Sequence, residues 1–121
     1  MSRNALVTQK FIIHGAQTKI KGYLLMDQDE AGKLLSISVE LSKEGSMLRA
    51  MVHGFTNAIN IGLAGGIHLG KFLDEFRDYR FEPFGVVECS ANVVECSSVI
   101  DYITQELSAT FCEKAGDSWP L

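Results

Sequence analysis

The sequence predicts an α+β domain of two layers, an antiparallel three-stranded meander packed against three helices. Three observations lead there. Apolar and polar residues alternate with period two in the first third of the chain, as in half-buried strands. After Gly45 the apolar residues recur three and four apart, the spacing of a helix buried along one face. The strands also come before the helices rather than between them, which leaves one sheet face for the helices to cover.

The clearest strand runs from Lys33 to Lys43, with Leu35, Ile37, Val39 and Leu41 on one face and Leu34, Ser36, Ser38, Glu40 and Ser42 on the other. A second spans Lys19 to Met26, where Ile20, Gly22, Leu24 and Met26 face inward. A shorter strand covers Lys10 to His14. The connectors at residues 14–17 and 27–32 are turn-rich and short enough to join antiparallel neighbours.

The first helix carries Leu48, Met51, Val52, Phe55, Ile59 and Leu63 as its inward stripe, with Ser46 as N-cap and Gly65-Gly66 as the stop. Ala50, Gly54 and Ala58 form a row of small residues on its other side, which predicts burial against the sheet and against a further helix or a second subunit. The second helix, about His68 to Tyr79, turns Leu69, Phe72, Leu73 and Phe76 inward. Pro83 and Gly85 predict an irregular loop after it. The third helix starts at Ser97 or Ser98 and continues through Val99, Ile100, Ile103, Leu107 and Phe111, with Ser98 and Asp101 as a variant capping box. The order is strand, strand, strand, helix, helix, loop, helix. A single domain over residues 1–121 is expected, with its core at about 9–114 and mobile ends at 1–8 and 115–121.

Composition sets the class. At 121 residues, 46% hydrophobic and 21% charged, the chain has room for a core without disulfides or a structural metal. No apolar run reaches the roughly 18 residues of a membrane span. The first ten residues do not read as a signal peptide, so a cytoplasmic location is expected. The formal net charge is −4, with the acidic excess in the C-terminal half and no basic cluster, which argues against nucleic acid.

Candidate chemistry is sparse. Cys89 and Cys96 lie in a repeated Val-Val-Glu-Cys segment, but their spacing lacks the close pairs of a zinc site. Two free thiols are the simpler reading, and a cysteine near a helix start can have a lowered pKa. Cys112 stands alone, and His14, His53 and His68 have no ligand-like spacing. Arg49, His53, Asn57 and Asn60 fall on the more polar side of the first helix and are candidates for an anion or amide site, set against a plainly solvated helix face. Arg80-Phe81-Glu82-Pro83 is a structured turn whose Arg80 is suited to bidentate binding of a carboxylate or phosphate. The glycines at 62–66 follow a helix, so they read as its cap rather than a phosphate loop.

Several of these pieces occur together in one order: Glu44-Gly45-Ser46, the apolar helix to Leu63, the helix from Ile67 to Tyr79, Arg80-Phe81-Glu82-Pro83, and Ser98-Val99-Ile100-Asp101-Tyr102-Ile103. From about Phe11 to Phe111 the sequence resembles the C-terminal region, the TSCPD domain, of adenosylcobalamin-dependent (class II) ribonucleotide reductases. The resemblance implies a role in deoxyribonucleotide synthesis. The Thr-Ser-Cys-Pro-Asp stretch and paired terminal cysteines of that family are not present, and no catalytic residue has a position here to be carried onto. The expectation is a free-standing accessory, regulatory or assembly domain without catalysis or cofactor of its own, adenosylcobalamin entering only through the related catalytic subunit. Its expected partners are a second copy or that subunit. The alternative is a small-ligand or nucleotide-binding domain using Arg49, His53, Asn57, Arg80 and Glu82.

Overall fold

Strand β1 spans Ala5–His14, β2 Lys19–Gln28 and β3 Leu34–Leu41, and they pair antiparallel in that sequence. The structure, a computed structural model, describes residues 4–112. Residues 113–121, which include the expected tail at 115–121, lie outside the described residues, as does the side chain of Cys112. β1 begins five residues ahead of the expected Lys10, so residues 5–8, expected outside the core, are paired with β2.

The inward face follows the period-two pattern: Phe11, Ile13, Ile20, Leu24, Met26 and Ile37 are all buried. Leu35 departs from it. A register shift opposite Asp27 and Gln28 leaves Leu35 exposed and turns Leu34 into the core. Such a bulge puts two residues of one strand against one of its neighbour, which reverses the face of everything beyond it.

Helix α1, Ser46–Ala64, packs on β3 through Val52, Thr56 and Ile59, with Leu48, Phe55 and Leu63 at the margins and Gly62 buried beside Phe72. Gly45 rather than Ser46 is its N-cap, and Met51 lies outside the buried face. Helix α2, Leu69–Phe76, is shorter than predicted at its C-terminal end because Arg77 is extended and Asp78 is left-handed. His68 caps its start, its Nδ1 accepting from the Gly70 N–H.

The expected loop after Pro83 contains two more strands, β4 Gly85–Glu88 and β5 Glu95–Cys96. They extend the sheet to five antiparallel strands in the order β3-β2-β1-β4-β5. Gly85 is required where β4 meets β1: its φ is +149°, and a Cβ there would run into the His14 carbonyl oxygen. Helix α3, Val99–Leu107, packs against α2 and β5 and is buried on nearly every side, its Tyr102 ring stacked 4.4 Å from Phe11. A π-helical turn at Ser108–Cys112 follows, where the sequence reading continued the α-helix.

Candidate functional site

Two distinct pieces of sequence, the turn after α2 and the start of α3, fold into one unit. Ser98 Oγ accepts from the Asp101 N–H at 3.0 Å and donates to the Tyr79 carbonyl at 2.5 Å. The Asp101 carboxylate, 2% exposed, accepts from the backbone N–H groups of Asp78 and Ser97 and from Gln105 Nε2, at 2.8, 2.9 and 2.9 Å. The Phe81 N–H donates to the Ser97 carbonyl, and Glu82-Pro83 is a cis peptide. The predicted capping box therefore does more than start a helix, because it also holds the Arg-Phe-Glu-Pro turn in place. With three N–H donors on it, Asp101 serves the architecture.

Arg80 is exposed on that turn with its guanidinium 4.2 Å over the Phe84 ring, and it makes no hydrogen bond or ion pair with the described residues. It borders an open cleft of about 770 Å³ together with Arg77, Phe84, Asn92, Glu95 and Gln105. Glu82 is exposed and does not line it. Arg49 and His53 line a different groove, of about 560 Å³, beside Val39, Glu40 and Leu41 of β3. Asn57 is exposed on α1 and lines neither, so the predicted ligand residues do not converge on one site. Asn60 is committed elsewhere: its side-chain amide accepts from the Ile37 N–H and donates to the Ile37 carbonyl, both at 2.8 Å. It occupies the open edge of β3 as a neighbouring strand would.

A second buried carboxylate went unseen in the sequence. Glu106, 1% exposed, accepts from Ser90 Oγ, Asn92 Nδ2 and Tyr102 Oη at 2.8, 2.9 and 2.8 Å, fastening the β4–β5 turn to α3. Burial, then the hydrogen bond to Glu106, pushes the Tyr102 phenol far above its ordinary range. The four-residue spacing of Tyr102 and Glu106 was a legible signal. Their partners in the turn were not.

The thiols are unlike each other. Cys89 is exposed in a left-handed conformation at the end of β4, and Cys96 is buried in β5. Burial pushes the Cys96 thiol up to about 11, the reverse of the lowering expected near a helix start. Among the described residues, no group of three or more His, Cys, Asp or Glu could hold a metal ion. His14 contacts the Glu88 carboxylate on the solvent face of the sheet.

The row Ala50, Gly54 and Ala58 lies on the exposed face of α1, opposite β3. Met47 and Ile61 flank it at 83% and 74% exposure, and a Cβ added to Gly54 would meet nothing within 4 Å. No charged side chain occupies this strip; Arg49 is the sole charged residue between Ser46 and Ala64.

No family model and no solved structure matches the chain. Curated proteins do. Over 107 residues, 88% of the chain, it is 32% identical to the vitamin B12-dependent ribonucleotide reductase of Bradyrhizobium diazoefficiens. The chain is related to one part of the vitamin B12-dependent ribonucleotide reductases. The reductases of Agrobacterium fabrum and Streptantibioticus cattleyicolor match it at 32% over 104 residues and 30% over 105 residues. The chain spans only 8% of the length of the first two relatives and 17% of the third, the extent of a small domain.

Proposed function

We propose that this chain is a non-catalytic association module of ribonucleotide reduction, docking onto protein through the outer face of α1. The observation that carries this reading is that α1 has two apolar faces on opposite sides. Val52, Thr56 and Ile59 sit on β3, while Met47, Gly54, Ala58 and Ile61 face outward and are exposed among the described residues. A helix on the surface of a domain keeps polar residues on its outer side, and an apolar strip there marks a contact with another molecule. The partners of suitable kind are the reductase catalytic polypeptide and a second copy of this chain, in the cytoplasm. The nucleotide substrate and adenosylcobalamin belong, in this reading, to the catalytic polypeptide. Among the described residues no helix is long and apolar enough to cross a membrane.

The test is retention of a vitamin B12-dependent reductase polypeptide, or of a second copy, by the immobilised chain. Retention is expected with the native chain and a loss of at least tenfold with Gly54→Glu, whose side chain enters open space and leaves the fold intact. No retention of either partner by the native chain overturns the reading.

One observation favours a second reading. Arg80, held on Phe84 with its N–H fork unused among the described residues, borders a cleft whose volume is in the range of small-molecule sites. A small anionic ligand or nucleotide would bind there through Arg80 and Arg77. Thermal-shift screening with nucleotides and cobalamins separates the readings: a saturable stabilisation lost in Arg80→Ala supports the ligand site, and no shift removes it.

A further inference from the structure

We infer that the outer face of α1 pairs with the same face of a second copy, antiparallel, about a two-fold axis passing beside Gly54. The inference rests on the outer face of α1 being a docking surface and names its occupant. The order of side chains along that face points to this occupant. Counting from Gly54, Met47 and Ile61 lie seven residues to either side, and Ala50 and Ala58 lie four. At about 100° per residue these five positions fall symmetrically within a strip centred on Gly54. Met51 and Asn57, three residues to either side, form its two margins. The strip thus reads large, small, glycine, small, large in both directions.

A two-fold contact requires one patch to complement itself, so that residue i meets j and j meets i. Two antiparallel α1 helices crossing at Gly54 satisfy this. Each Met47 faces the partner's Ile61, each Ala50 faces the partner's Ala58, and Gly54 meets Gly54 at the closest approach. The small central residues allow the backbones to approach, and the large residues at both ends fill the space where two straight helices diverge. A partner of unrelated sequence needs no such symmetry. Nor does the fold itself need glycine at this position, since Gly54 has open space around it and glycine is among the poorest residues for a helix interior. Charge does not oppose this occupant: Arg49 lies outside the strip, so two copies meet without burying a charge or opposing like charges. The helix has 19 residues and is about 28 Å long, so one face of it falls short of the ~800 Å² per partner of a stable complex. The pair is therefore a weak, concentration-dependent dimer.

The experiment is cysteine cross-linking of the full chain with Cys89 and Cys112 replaced by Ser, under mild oxidation across a concentration series reaching the millimolar range. Gly54→Cys is expected to form a covalent dimer in the majority of molecules. Ala50→Cys and Ala58→Cys are expected to give little dimer separately and a mixed dimer when combined. Dimers from Ala50→Cys alone, as efficient as from Gly54→Cys, would mean a parallel arrangement and overturn the inference. Absence of any cross-link also overturns it. In that case, capture of a reductase polypeptide by the native chain, lost in Gly54→Glu, would leave the docking face standing with a different occupant. Absence of both would remove the docking face as well.

Discussion

Replacing Asp101 by Asn tests whether the turn after α2 is held by the start of α3. The substitution conserves shape and changes only charge and one acceptor. One oxygen of Asp101 receives the Asp78 N–H, and the other receives Ser97 N–H and Gln105 Nε2. An asparagine has one oxygen. Its better orientation keeps the two bonds to Ser97 and Gln105 and turns an amide N–H₂ toward the Asp78 N–H. One partly buried donor then loses its acceptor, at about 1–3 kcal/mol, and the two remaining bonds lose their charge assistance, at roughly 1 kcal/mol each. The expected loss is about 3–5 kcal/mol, a large part of the 5–15 kcal/mol typical of a domain. For a chain of 121 residues, roughly 4 °C of melting temperature corresponds to each kcal/mol, so a fall of about 12–20 °C is expected in a thermal scan. Urea unfolding should give the same free energy, and amide exchange at Asp78 should accelerate before that of the β1–β2 core. A loss below about 0.5 kcal/mol, with exchange at Asp78 unchanged, would refute the argument that this carboxylate holds the turn.

Four further outcomes follow from the same structure. Asn60→Ala removes both bonds to Ile37 and should cost about 1–3 kcal/mol in urea unfolding, with increased self-association at the uncovered β3 edge seen by light scattering. Gly54→Ala should raise stability by up to about 1 kcal/mol, because the added methyl enters open space and alanine is the better helix former; a destabilised variant would mean that the fold itself needs the glycine. Cys96 should resist alkylation in the native protein while Cys89 reacts, as read by site-resolved mass spectrometry. Since the folded chain holds the Cys96 proton up to about pH 11 against an ordinary value of 9.0, its contribution to stability is present below pH 9 and declines as pH rises from 9 to 11. That alkaline decline should be reduced in Cys96→Ala.

The strands and helices with strong periodicity were legible because burial on one face imposes it: β2 and α1 match the spacing of Ile20, Leu24 and Met26 and of Val52, Ile59 and Leu63. β4 and β5 were not. Four and two residues are too few to show alternation, and the repeat that marks them places Val87 and Val93 inward while Val86 and Val94 face out. A reading by repeat alone expects equivalent residues to be equivalent in space, but the two copies lie on paired antiparallel strands. Leu35 was misplaced because a bulge depends on pairing with β2, which the sequence of β3 does not record. The capping box of Ser98 and Asp101 was legible as a local signal; its grip on Asp78 and Tyr79 was not, since those contacts cross some twenty residues. The polar quartet of Arg49, His53, Asn57 and Arg80 failed as one site for a similar reason. Helical spacing relates Arg49, His53 and Asn57 to one another, and nothing local relates them to Arg80, which the turn carries to the cleft beside β4 and β5.

The account turns on the outer face of α1, and sedimentation of the native chain beside Gly54→Glu tests it most directly. Over a concentration series from about 10 µM to 1 mM, the range of a weak pair, the native chain should shift from its 13.3 kDa monomer toward twice that mass. Gly54→Glu should stay at the monomer mass with thermal stability no lower than that of the native chain. A native chain that remains monomeric at the highest concentration, and retains no reductase polypeptide, would contradict the account.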